Sequence, residues 1–119
     1  MIYTGYFDRL PDYQKAGLTP VDIGGYSPPG YMGLRHRELA PKKVWWQEWH
    51  DRRLRNDWYR KKYQETVLNL LDPHAEAEKL QSLGKDVILL CREKPPQFCH
   101  RHLAAKWFCQ NGICVREYE

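Results

Sequence analysis

No apolar run in this sequence approaches the roughly 18 residues that a membrane-spanning helix needs. A secretion signal is not expected either, because Asp8 and Arg9 fall where such a signal would be apolar. No segment repeats another and no linker divides the chain, so one domain is expected over residues 1–119. A large excess of charge of one sign is lacking as well. The net value of +4 permits contact with phosphate without demanding it. These absences point to a cytoplasmic, reducing setting without a membrane partner, in which the four cysteines would be thiols. What the chain does have is a hydrophobic content of 42%, enough to build a core. It also has five tryptophans, enough to ask whether some aromatic rings face a ligand.

The stretch Val87 to Leu103 organises the rest. Val87-Ile88-Leu89-Leu90 runs straight into Cys91, which suits a strand buried on both faces of a parallel sheet. A short polar loop with two prolines follows. Cys99-His100-Arg101 then opens a helix that ends near Cys109. In open α/β sheets the ligand crevice lies outside the carboxyl ends of the strands. Cys91, Glu93, Cys99, His100 and Arg101 would gather at that edge.

The remaining segments supply partners for this unit. Ile2 to Tyr6 and Val21-Asp22-Ile23 read as short strands, joined by a connection containing one short helix with Leu10, Tyr13 and Gln14. Gly5 reads as a turn residue or a point of close backbone approach. Gly24 to Gly33, rich in glycine, is a loop beside the crevice. Tyr26, Ser27, Tyr31 and the run Arg35-His36-Arg37 are its candidate lining. Lys42 to Lys62 reads as helical, either continuous or broken, with tryptophans alternating with cations. Those rings either stack bases or pack the core, and the core is the commoner use. Asp72-Pro73 starts a further helix, with Ala77, Leu80 and Leu83 inward and Glu76 and Glu78 near its amino end. Ile113 to Tyr118 alternates as a final strand after the turn pair Asn111-Gly112. The expected fold is α/β: a small, mainly parallel sheet of about four strands with helices packed on it, Rossmann-like, with a right-handed crossover.

Leu89-Leu90-Cys91, then Arg92-Glu93-Lys94-Pro95, then Cys99-His100-Arg101 resembles the signature of the DUF488 family. Ile2 to Tyr6, Val21 to Ile23 with Ser27-Pro28-Pro29, and Leu39-Ala40-Pro41 are similar to further segments of its shorter members, some of them from phages. The resemblance implies a compact α/β domain and assigns no activity.

The residue types at the junction allow several chemistries. Cysteine attacks as the thiolate, which a helix amino terminus and nearby cations favour. Cys99, with Cys91 across the loop and His100 or Glu93 moving protons, would then be the catalytic group. Alternatively, the helix start and Arg101 would hold an anion, with Tyr6, Ser27 and Arg35 completing the pocket. No cofactor is expected. No metal is expected either, since Cys91, Cys99, His100 and His102 lack the paired spacing of structural zinc sites. A Cys91–Cys99 disulfide would imply a redox role. Cys109 and Cys114 are expected to be small buried apolar residues. The leading function is a nucleotide or nucleic-acid binding or modifying domain. The rivals are a protein-interaction module, such as a phage-encoded inhibitor of a host protein acting through the tryptophan-rich helix, and a thiol redox protein.

Overall fold

Five consecutive apolar residues, Val87–Cys91, form a strand buried along its whole length, as their unbroken hydrophobicity dictates. The computed structural model describes residues 1–93 and 97–119. Lys94 and Pro95 of the motif therefore lie outside the described residues.

In chain order the elements are β1 (Ile2–Tyr6), α1 (Leu10–Lys15), β2 (Thr19–Asp22), β3 (Leu34–Arg35), α2 (Lys43–Asp51), α3 (Asn56–Thr66), α4 (Pro73–Gln81), β4 (Val87–Cys91), α5 (His100–Gln110) and β5 (Val115–Glu117). The strands form one sheet in the order β3-β2-β4-β1-β5, and every pairing is parallel. The α/β architecture agrees with the expectation, with five strands in place of about four. The additional strand, β3, is two residues long and pairs Leu34 with Val21 and Arg35 with Asp22. Two residues inside a glycine-rich loop carry no periodicity from which a strand can be read.

Alternation of side chains divides β4 between two faces. Val87 and Leu89 point into the larger core with Val21, Ile23, Trp45, Tyr59, Tyr63, Leu80 and Phe108. Ile88 and Leu90 meet Tyr13 and Leu18 on the side of α1. Gly5 lies inside β1 rather than at a turn. A Cβ there would stand 2.6 Å from the Tyr13 hydroxyl oxygen and 2.8 Å from Ile88 Cδ1, so the bare backbone makes room for the tyrosine.

The stretch Lys42 to Lys62 is two helices. The break falls at Arg52–Arg55, where Arg53 adopts a left-handed φ of 51°. Trp45 is core and donates its indole N–H to Thr66 Oγ1, tying α2 to the end of α3 (2.8 Å). Asp72 caps α4 by accepting from the His74 amide (3.1 Å). On α4, Leu80 is buried but Leu83 is 37% exposed. Glu76 turns inward instead of only serving the helix dipole, and its carboxylate meets His36 Nε2 at 2.7 Å. Cys109 and Cys114 are exposed, which corrects their expected burial: both lie beside the turn into β5, where the chain faces solvent. Among the described residues no helix is long and apolar enough to cross a membrane.

Substituting Gly5→Ala should destabilise the fold by about 1–3 kcal/mol through overpacking against Tyr13. Urea denaturation followed by tryptophan fluorescence would register this as a lower midpoint at unchanged slope.

Candidate functional site

A cleft of about 470 Å³ opens beyond the carboxyl ends of β2 and β4. Its floor contains Cys91 at the end of β4, Cys99 and His100 at the start of α5, and Asp22 at the end of β2. Glu93 also faces it. The four residues expected to carry chemistry, Cys91, Glu93, Cys99 and His100, are thus brought together. Tyr6, Ser27, Arg35 and Arg101, expected to bind an anion, do not line this cleft, because each is engaged in holding its frame.

Arg101 is fully buried. Its Nε and Nη2 donate to the two carboxylate oxygens of Glu117, at 3.0 and 2.9 Å. Nη1 donates to Cys91 Sγ at 3.2 Å and to the Glu93 carbonyl. The guanidinium carbon lies 5.6 Å from the centre of the Tyr6 ring. Every nitrogen of the side chain is therefore bound, and the bidentate fork sets α5 against β4 and β5 at once. Glu117 also accepts from Thr4 Oγ1 at 2.6 Å. Burial would raise the Glu117 carboxyl, but hydrogen bonds from Arg101 and Thr4, with the arginine charge, hold it below the ordinary carboxylate value.

Ser27 and Arg35 build the loop on the other side. Asp22, wholly buried, accepts from the Gly24 amide at 2.8 Å and from Ser27 Oγ at 2.6 Å. Ser27 Oγ in turn accepts from Arg35 Nε at 2.7 Å and Arg37 Nη2 at 3.3 Å. Arg37 also donates to the Gly24 carbonyl. Of the basic run, only Arg37 reaches the cleft; His36 is buried against Glu76.

The cleft wall is aromatic. Trp49 and Phe98 each meet the Tyr59 ring edge-on, with centroids 4.9 Å apart in both pairs. Trp46 stacks on His50, and Tyr26 approaches Trp46 edge-on. Arg92, just after β4, lies over Tyr26 at 5.0 Å and so joins the two loops that flank the opening. Arg37, Lys42, Lys43 and Arg92 add cations to the lining. Among the described residues the buried indole N–H of Trp49 has no acceptor.

Cys91 and Cys99 are joined as a disulfide, with Cα atoms 7.2 Å apart. This corrects the expectation of four thiols: the end of a strand and the start of the next helix bring two cysteines together that seven residues separate in sequence. His100 Nε2 lies 2.8 Å from the Ile23 carbonyl, which can only accept, so Nε2 carries the proton. Its Nδ1 lone pair then faces Cys99 Sγ at 3.9 Å. Burial, opposed by the Ile23 hydrogen bond and reinforced by the Arg101 charge, lowers the His100 pKa from 6.5 to about 4. The ring is neutral at pH 7.

Glu117, Asp22, Trp46, Trp49 and Tyr59 also shape the cleft or its frame, and sequence pattern alone does not assign them to it. A carboxylate inside the apolar run Val21-Asp22-Ile23 is the signal for Asp22. Alternation from Val115 is the signal for Glu117, which falls on the same face of β5. The aromatic residues give none, since a ring lining a cleft and a ring filling a core share one helical spacing.

Residues 20–112 match the family model DUF488-N3a, described as the active DUF488-N3 subclade. No curated protein and no solved structure matches the chain.

Two outcomes follow for stability. Arg101→Ala should cost about 3–5 kcal/mol, since it strands the Glu117 carboxylate and removes the tie between α5 and the sheet; chemical denaturation measures this directly. In the bridged protein, stability should fall as pH drops from about 6.5 towards about 4, because the unfolded His100 takes up a proton there that the folded ring refuses. The loss should be on the order of 3 kcal/mol, and the dependence in that window should flatten in His100→Gln.

Proposed function

The chain belongs to the DUF488 family, and we propose that its cleft binds a nucleotide, free or within a single strand, over the Cys91–Cys99–His100 centre. The observation that carries this is the lining itself, in which Tyr26, Trp46, Trp49, Tyr59 and Phe98 occur together with Arg37, Lys42, Lys43 and Arg92. Every base offers a planar face to an aromatic wall, and every phosphate a charge to the rim. The unsatisfied Trp49 N–H suits an acceptor on the base or sugar. Arg101 then acts as a positioning residue. It holds Cys91 in place and stabilises negative charge on that sulfur when the bridge is open. Neutral His100 offers a lone pair to the sulfur, and Glu93 stands by as a carboxylate for the polar part of the ligand. A cytoplasmic location and a single domain over residues 1–119 fit this role.

A second function, thiol redox exchange, is favoured by one observation, the bond between Cys91 and Cys99 at the floor of an open cleft. It requires a dithiol partner to enter that cleft and exchange electrons with the pair. The tryptophan-rich helices are less suited to docking a host protein, because Trp45 is core and Trp46 and Trp49 turn towards the cleft.

Nucleoside monophosphates and short single strands should quench the tryptophan fluorescence of the intact protein. Trp46→Ala should weaken binding about 5- to 150-fold, as expected for one lost stacking contact of about 1–3 kcal/mol. Lys42→Glu with Lys43→Glu should weaken it further and lower its dependence on salt. Absence of quenching and of calorimetric heat at millimolar ligand would remove the nucleotide assignment.

A further inference from the structure

We infer that Cys91, Cys99 and His100, once the bridge is opened, form a binding site for a thiophilic divalent metal ion of the Zn2+ class. The three donor atoms lie within 4.8 Å of one another, and all three residues are buried. A tetrahedral zinc centre, with bonds of about 2.3 Å to sulfur and about 2.0 Å to nitrogen, needs donors roughly 3.5–3.8 Å apart. His100 Nδ1 already lies 3.9 Å from Cys99 Sγ. The ring is oriented as metal-binding imidazoles are: Nε2–H donates to a backbone carbonyl, that of Ile23, which leaves Nδ1 free as the ligand. Cys91 has its own supporting contact in the Arg101 guanidinium.

Linear spacing argues against a metal here, because the ligands do not form a short paired motif. The fold supplies what spacing lacks by setting the end of β4 against the start of α5. Three protein ligands leave one coordination position, the arrangement of catalytic rather than structural zinc. All three residues line the cleft, so that position opens towards whatever the cleft holds. The metal assignment does not rest on a nucleotide being that ligand.

Opening the bridge takes two electrons. A phosphine supplies them, takes one oxygen from water and becomes the phosphine oxide, and the two sulfurs are released as thiols. Metal binding then displaces their protons to the buffer.

The test titrates Co2+ into the Cys109→Ser/Cys114→Ser chain, whose remaining cysteines are Cys91 and Cys99, before and after phosphine reduction. The reduced chain should take up a single equivalent. A sulfur-to-metal charge-transfer band in the near ultraviolet and the visible bands of tetrahedral Co2+ should appear, and Zn2+ should displace both. The bridged chain should show neither. Adding Cys91→Ser or Cys99→Ser should abolish the charge-transfer pattern, and His100→Gln should weaken Co2+ binding at least about tenfold. A serine variant that failed to fold would lose the bands trivially, so the deciding comparison is between bridged and reduced forms of one chain, with circular dichroism of each. A reduced chain that keeps its native spectrum yet binds Co2+ no better than the bridged chain would overturn the assignment. So would binding without a sulfur band, the behaviour expected of the His36–Glu38–Glu76 cluster. So would a chain that unfolds on reduction and is not restored by Zn2+. No nucleotide enters this titration, so its failure and the failure of nucleotide binding are separate results.

Discussion

A guanidinium with no exposure to solvent is the constraint around which this molecule is assembled. Arg101 sits inside α5 and can be tolerated there only because each of its nitrogens is bound. Its partners come from β4, the loop after β4, and β5, while Tyr6 of β1 lies alongside. Satisfying one buried charge therefore sets helix, strands and loop in register. Cys91 is among those partners, so the same requirement places a sulfur at the floor of the cleft. A buried ion pair of this kind contributes little net stability compared with an apolar substitute, but removal of one member is costly. Its value to this fold is geometric.

The opposite wall follows the same logic with the sign reversed. Asp22 is a buried carboxylate, and the loop from Gly24 to Arg37 wraps around it through Gly24, Ser27 and Arg37. Two buried charges, one cationic beneath β4 and α5 and one anionic at the end of β2, thus frame the cleft. Residues that look from sequence like ligand contacts, Arg101, Ser27 and Arg35 among them, are used in that framing. The side chains left facing the cleft are the bonded sulfur pair, His100, Glu93, the aromatic wall and the cations of the rim. This division also explains why His100 is neutral: it is buried near the fixed positive charge of Arg101, and the hydrogen bond to the Ile23 carbonyl offsets that only in part.

Much of the fold was legible because its signals are local. An unbroken apolar run has few alternatives to a buried strand, and Val87–Cys91 is one. Asp72 followed by Pro73 caps a helix by chemistry confined to one turn. The candidate site was legible at its strand-to-helix junction for a related reason. A strand that ends in cysteine, followed by a loop and a helix that opens Cys-His-Arg, brings those side chains to one edge whatever the rest of the chain does. β3 was not legible, because two residues paired across a loop have no period. Nor was the inward turn of Glu76, which depends on His36 forty residues earlier.

From its residues alone this chain could be assigned a parallel α/β fold and a gathering of Cys91, Glu93, Cys99 and His100 at one strand-to-helix junction. Both follow from hydrophobic patterning and chain connectivity over short distances. Tertiary structure alone decided that Arg101 pairs with Glu117 instead of a ligand, that Cys91 and Cys99 meet, and that Trp46, Trp49 and Tyr59 form a wall instead of only a core. Those outcomes depend on which elements lie side by side in the sheet order β3-β2-β4-β1-β5. Adjacency of that kind is a property of the packed whole, because a buried charge or an aromatic ring takes its partner from space and not from sequence.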